Sequence, residues 1–244
     1  MRKNYHHQRG VALFVVIVIV MLSMLLALWA SRTSLFNELL VGNDADYQRT
    51  FEAAQSMLQD AELDIREQSA NGEDCKPISG KNDICRSGIE IRFVEEEKDL
   101  VNLLNAVDDQ KTCNDGTFCT KCLEGICRKR VEKQDFWNDP AALTAMLKDG
   151  IGARYGTYTN ATKDDYINPI LSKTSAGEGA WYWIEVMPYD TNPSSLLSNS
   201  SATKKWELSL KPAVVYRITA LARGLKPETQ VVLQSTFARQ KIKD

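Results

Sequence analysis

The sequence predicts an α+β fold: one long N-terminal helix packed on an antiparallel β-sheet, with disulfide-stapled loops between them. Three observations carry this expectation. An apolar run over Val11–Ala30, broken only by Ser23, leads straight into a stripe of helical period. The C-terminal end holds two alternating, β-branched runs around a turn bearing Gly and Pro. Six cysteines crowd into the polar middle of the 244 residues.

The twenty residues of the apolar run rise about 1.5 Å each and span roughly 30 Å, the thickness of a bilayer's hydrocarbon core. Arg2, Lys3 and Arg9 precede the run, with His6 and His7 nearby, so the positive-inside bias predicts a cytoplasmic N-terminus and export of everything after Ser31. A cleaved signal peptide ending at Ala30 fits less well. Its apolar part would be about 7 to 15 residues long, and Leu28 stands where a small residue is needed.

Beyond the run, Phe36, Leu40, Tyr47, Phe51, Ala54, Leu58, Ala61 and Ile65 recur at steps of 3, 4 or 7, the stripe of an amphipathic helix. Glu38, Asp46, Arg49, Glu52, Asp60, Glu62 and Asp64 fall on the wetter face in this reading. The prediction is one helix from Val11 to about Gln68, bending at Gly42-Asn43 and ended by Asn71-Gly72, which tolerate the left-handed backbone that closes a helix.

From Glu73 to Arg86 the composition is polar and turn-rich, a loop closed by cysteines at either end. Ile89, Ile91 and Phe93 alternate with Glu90, Arg92 and Val94, which predicts a half-buried strand. Asp108–Arg130, with four cysteines around Asn114-Asp115-Gly116, reads as a loop and neither strand nor helix. Asp139-Pro140 starts a short helix running to Gly150, with Asp as N-cap and Pro in the first turn. Trp181–Met187 is apolar on both faces, so it predicts a central strand. Asn192–Ser201 is a polar connection, and Val214–Arg223 with Thr229–Arg239 forms an antiparallel hairpin.

Cys75, Cys85, Cys113, Cys119, Cys122 and Cys127 all fall in the exported part, where disulfides persist, so three bridges are expected. Six cysteines allow 15 pairings. The favoured set is Cys75 with Cys85, closing a short polar loop, and two bridges within the Cys113–Cys127 cluster.

The chemistry on offer is limited. Both histidines lie in the leader, so the exported domain has no His base, no Ser-His-Asp or Cys-His pair and no His metal ligand, and no catalytic residue is assigned. Gly150–Gly156 has the spacing G-x-G-x-x-x-G after a helix, which is a helix stop and loop, not a nucleotide fingerprint. Cys119-Thr120-Lys121-Cys122 admits a zinc site or a redox pair, but structural disulfides fit the compartment better. Asp44 and Asp46 read as a solvated helix face, not a calcium site. No metal and no cofactor is expected. A net charge of −2 gives no basic face for nucleic acid.

The leader ending in Arg9-Gly10, followed by an apolar helix that runs into an amphipathic one, resembles a type IV prepilin. Gln8-Arg9-Gly10-Val11-Ala12-Leu13 is similar to the opening of the PilX-type minor pilins, which are related to the K-type minor pseudopilins of type II secretion. Val41-Gly42-Asn43-Asp44, Ala53-Ala54 and Asp60-Ala61-Glu62 resemble their helix, and Tyr216–Ala220 with Val231–Thr236 resembles their closing hairpin. The likeness covers about 8–66 and 212–237.

The resemblance implies a leader over 1–10 removed after Gly10 by a prepilin peptidase, with methylation of the new N-terminus at Val11. It divides the rest into a membrane and filament-core half over 11–30, an amphipathic half over 31–68 and a periplasmic domain over 69–244. Ordinary pilins carry Glu at the fifth mature position, where this chain has Val15. That carboxylate pairs in the family with the N-terminal amine of the subunit above it, so a subunit without it suits the first place, at the tip. The implied partners are other minor pilins, the major pilin and a tip adhesin. The implied location is the inner membrane before assembly and the pilus tip at the cell surface after it, in pili that serve adhesion and twitching motility. The expected function is thus priming of pilus assembly. The alternatives are a minor pseudopilin of type II secretion or a membrane-anchored periplasmic binding module.

Overall fold

The computed structural model describes residues 9–89, 91–94, 96–109, 119–131, 133–161, 168–189, 210 and 213–239. The leader over 1–8, Cys113, Asn114-Asp115-Gly116 and the Asn192–Ser201 connection lie outside the described residues. The chain divides into two units, Met1–Asp46 and Tyr47–Asp244.

Helix α1 (Arg9–Ile65) runs through both units, and its stretch up to Asp46 makes the first. Its apolar side chains stand in the open, with Phe14 at 68% and Trp29 at 71% exposure. Among the described residues it is the one helix long and apolar enough to cross a membrane, with a mean hydropathy of 3.2 over its most apolar window. Two of its polar side chains bond the helix's own backbone: Ser23 Oγ donates to Val20 O at 2.8 Å and Thr33 Oγ1 to Trp29 O at 3.0 Å. Gly42-Asn43 does not end the helix. The expected stripe is exposed at Phe36, Leu40 and Tyr47 and is partly or fully buried from Phe51 onward.

The second unit is a five-stranded sheet in the order β1 (Cys122–Leu123), β2 (Ile126–Arg128), β3 (Ala180–Pro188), β4 (Val214–Arg223), β5 (Gln230–Phe237). Every pair is antiparallel except β2 with β3, whose connection carries a helix, as a parallel return requires. β3 is buried on both faces, which suits its apolar sequence and its place between two neighbours.

Its alternation sorts the core. Tyr182, Ile184 and Val186, with Tyr216, Ile218 and Ala220 of β4, pack in one cluster with Ala53, Ala54, Met57, Ala61 and Ile65 of α1. Trp181 and Trp183 turn to the other face, among Cys122, Cys127, Phe136 and helix α3 (Pro140–Met146). Asp139 caps α3 by accepting from Ala141 N at 2.9 Å and Ala142 N at 3.3 Å.

Three expectations about the domain need correction. α1 ends at Ile65, not at Asn71-Gly72. Glu67 takes the left-handed conformation (φ 57°), Gln68 N bonds Leu63 O at 2.9 Å and Glu67 N bonds Asp64 O at 3.0 Å, the two bonds of a Schellman closure. Asn71-Gly72 instead turns a narrow loop, because Gln68 pairs with Asp74 and Cys75 N reaches back to Glu67 O.

Ile91 and Phe93 are buried as a strand's inner face would be, and Val94 is buried beside them, yet they pair with no strand among the described residues; their side chains join the core cluster instead. The next stretch is helix α2 (Glu97–Asp109), whose Leu100, Leu103 and Val107 share the core at steps of 3 and 4. Part of the cysteine-rich loop is the β1–β2 hairpin. Its turn sets Glu124 (φ 50°) and Gly125 (φ 79°) left-handed in succession, as a two-residue hairpin demands, and a Cβ on Gly125 would meet that of Ala153 at 2.6 Å.

Candidate functional site

The residues singled out at the N-terminus sit where α1 begins. Gly10 is the second residue of the helix, and Val11 and Val15 follow with exposures of 68% and 46%. No carboxylate lies between Arg9 and Arg32, so the first six turns of α1 present only apolar and neutral side chains. A surface of that size is unstable in water and is built to be covered by lipid or by other apolar helices.

The other end of α1 is organised by charge. Asp60 and Asp64 lie one turn apart and are 2% and 5% exposed, so the wet face assigned to them is wrong, as it is for Asp46 at 2%. Spacing held the signal: Asp60 follows Met57 by three residues and Asp64 follows by seven, the period of the buried stripe itself. Asp64 Oδ1 accepts from Arg86 Nε at 2.9 Å, and its Oδ2 accepts from Arg86 Nη2 at 2.7 Å and from the Tyr182 hydroxyl at 2.8 Å. The Arg86 guanidinium lies 3.7 Å from the Tyr158 ring centre and also donates to Glu124 O. The Tyr158 hydroxyl donates to Glu124 Oε2 at 2.6 Å.

Among the described residues Asp60 has only neutral donors, Gly156 N at 2.9 Å and Thr159 Oγ1 at 2.5 Å. Gly156 is left-handed (φ 72°), and a Cβ there would meet Ala161 O at 2.5 Å, so the loop closes on Asp60 through a residue that only glycine replaces easily.

Burial dominates the electrostatics. It pushes the Asp60 carboxyl up to about 7, with the bonds from Thr159 and Gly156 offsetting this only in part. It raises Tyr182 and Tyr158 well above the usual phenol range, and Tyr216 to about 12. Burial alone would lower Arg86, but the Asp64 carboxylate outweighs it and holds the guanidinium charged. These groups form a structural lock that ties the end of α1 to Arg86, Tyr182 and the loop at Gly156 and Thr159.

Cys75 and Cys85 are bridged across a Cα–Cα distance of 5.6 Å, and Cys122 and Cys127, directly opposite each other on β1 and β2, across 4.0 Å. Cys119 is also in a disulfide. Gly150–Gly156 forms turns after α3, and Ala153 pairs with Tyr182 of β3. Among the described residues no three His, Cys, Asp or Glu side chains converge as a metal site would require.

A single uncovered apolar helix whose far half is locked into an α+β domain is the architecture of a type IV pilin. Residues 9–59 match the family described as PilX N-terminal, and residues 123–239 match the family described as Type IV pilus assembly protein PilX C-term. The chain belongs to the PilX family of type IV pilus assembly proteins and is a minor pilin. No curated protein and no solved structure matches it. Residues 60–122, which hold Asp60, Asp64, the Cys75–Cys85 loop, Arg86 and α2, fall between the two matched regions.

Proposed function

We propose that this minor pilin primes type IV pilus assembly and sits at or near the pilus tip, in contact with other minor pilins and a tip adhesin. The observation that carries the reading is Val15, an apolar residue where pilins place the carboxylate that pairs with the N-terminal amine of the subunit already above. An unpaired amine or carboxylate within a bilayer is costly, so a subunit lacking the carboxylate is best placed where no subunit stands above it, at the tip. In this reading a prepilin peptidase cuts after Gly10 and Val11 is methylated. The span over 11–30 holds the protein in the inner membrane with its domain in the periplasm, and later joins the filament core.

Mass spectrometry of the mature N-terminus, with and without the peptidase, tests the processing. Methylated Val11 is expected; an intact Met1, or a start at Ser31, refutes it. Deleting the gene should reduce surface pili, and normal piliation would argue against priming. The Val15→Glu variant should still insert in the membrane but lose its place at the tip. An unchanged tip position in labelled pili counts against the role given to Val15.

A further inference from the structure

The loop Cys75–Arg86 lies outside both family matches, and its backbone is held in an unusual shape. Cys85 (φ 55°) and Arg86 (φ 50°) are consecutive left-handed residues that both carry a Cβ, a conformation their own preferences oppose. Something outside the pair must impose it. The restraints are the bridge from Cys85 to Cys75, the Cys85 N–H on Tyr158 O at 2.9 Å and the Arg86 N–H on Asp83 O at 2.9 Å. Cys75 is itself fixed by its N–H on Glu67 O at 2.9 Å, two residues past the end of α1.

The result of this restraint is the delivery of Arg86 into the core. Its side chain is 4% exposed, and among the described residues its Nη1 has no hydrogen-bond partner and Asp64 is its one charged partner. Such a pair tolerates the loss of neither member, because the survivor is left charged and desolvated. Cys75 and Cys85 are only partly buried and line an open cavity of about 190 Å³ with Pro77, Arg92 and Phe93, whereas Cys122 and Cys127 are 0% and 1% exposed.

We infer that the Cys75–Cys85 disulfide is a redox-operated latch that fastens the end of α1 to the domain by seating Arg86 on Asp64. A dithiol, free or on a thiol–disulfide oxidoreductase, attacks the bridge through one thiolate to give a mixed disulfide, and its second thiol displaces the remaining cysteine. Two electrons and two protons pass to the protein, which gains two thiols, while the dithiol leaves as its disulfide. Residues 85 and 86 then relax from the left-handed region, Arg86 leaves its seat, and Asp64 keeps only the Tyr182 hydroxyl.

The test uses the full chain in detergent micelles, titrated with dithiothreitol, with free thiols alkylated and mapped and amide exchange followed by mass spectrometry. Alkylation of Cys75 and Cys85 should coincide with exchange about tenfold faster or more in peptides covering Asp60–Gln68 and Ile84–Arg86. Cys122 and Cys127 should stay unalkylated and β3–β4 protected, and mapping separates the bridge of exposed Cys119 from the latch. Alkylated Cys75 and Cys85 with unchanged exchange over Asp60–Gln68 overturn the inference. A second arm replaces the ion pair by apolar residues of similar size, Arg86→Met with Asp64→Leu, an exchange that buried pairs often tolerate. Reduction should then leave Asp60–Gln68 unaffected; the same acceleration as in the native chain would mean the bridge acts without the ion pair. Where that variant does not fold, the dithiothreitol arm on the native chain decides alone.

Discussion

Val11–Ala30 and Ala53–Ile65 belong to one helix and meet opposite demands. In the first, described apolar side chains are exposed from Val18 at 37% to Trp29 at 71%, and no charge interrupts them. In the second, Ala53, Ala54, Met57, Ala61 and Ile65 are fully covered by the domain, and two carboxylates are buried with them. The comparison teaches that the more hydrophobic stretch is the one left open. Its partner is a lipid or another helix, so it needs no polar address, whereas the packed half carries charges that fix where along the helix each loop docks.

Breaking the lock should have the largest effect. Asp64→Ala leaves Arg86 buried and unpaired and should cost about 3–5 kcal/mol in chemical unfolding of the full chain. A loss under about 1 kcal/mol, the worth of an exposed pair, would show that the lock does not hold the packed half. Next comes apolar packing: Met57→Ala at a fully buried site should cost roughly 2–5 kcal/mol, and Leu40→Ala at a site 66% exposed should stay within about 0.5 kcal/mol. Equal effects at the two positions would erase the distinction between the halves.

Asp60 sharpens the comparison through pH. Its carboxyl keeps a proton up to about 7 in the folded domain but releases it near 3.8 when unfolded. The fold therefore binds more protons at this group between those values, and the contribution of Asp60 to stability is greatest at low pH and falls as pH rises towards 7, by roughly 2 kcal/mol between about pH 5 and pH 7. Asp60→Asn should flatten this slope, because the amide can accept from Gly156 N while the Thr159 hydroxyl turns to accept from it. An unaltered slope in urea titrations would locate the effect elsewhere. The smallest change expected lies off α1: Asp139→Ala removes the cap of α3 on the far face of the sheet, at about 1 kcal/mol, with exchange over Asp60–Gln68 unchanged.

Much of the fold was legible because its signals are local and periodic. The Val214–Arg223 and Gln230–Phe237 hairpin announces itself by β-branched alternation, β3 by apolar residues on both faces, and α3 by Asp139-Pro140. Helix α2 carries a readable period at Leu100, Leu103 and Val107, which its charged surroundings mask. The β1–β2 hairpin has strands of two and three residues, too short for a pattern to repeat. Of the inner site, Asp60 and Asp64 were misread because carboxylates are usually solvated. Their burial depends on Arg86, 22 positions from Asp64, and on the loop at Gly156 and Thr159, 96 and 99 positions from Asp60.

The sequence by itself determined the apolar run and its length, its continuation into a packed half and the late hairpin, since each rests on spacing within one stretch of chain, and its motifs at both ends carried the resemblance to the family. Only the tertiary structure decided where α1 stops, that β2 joins β3 in parallel, and that Arg86 reaches Asp64. Those outcomes arise where distant segments compete for the same backbone bonds and the same buried charge. A single stretch of chain holds only one side of each such bargain.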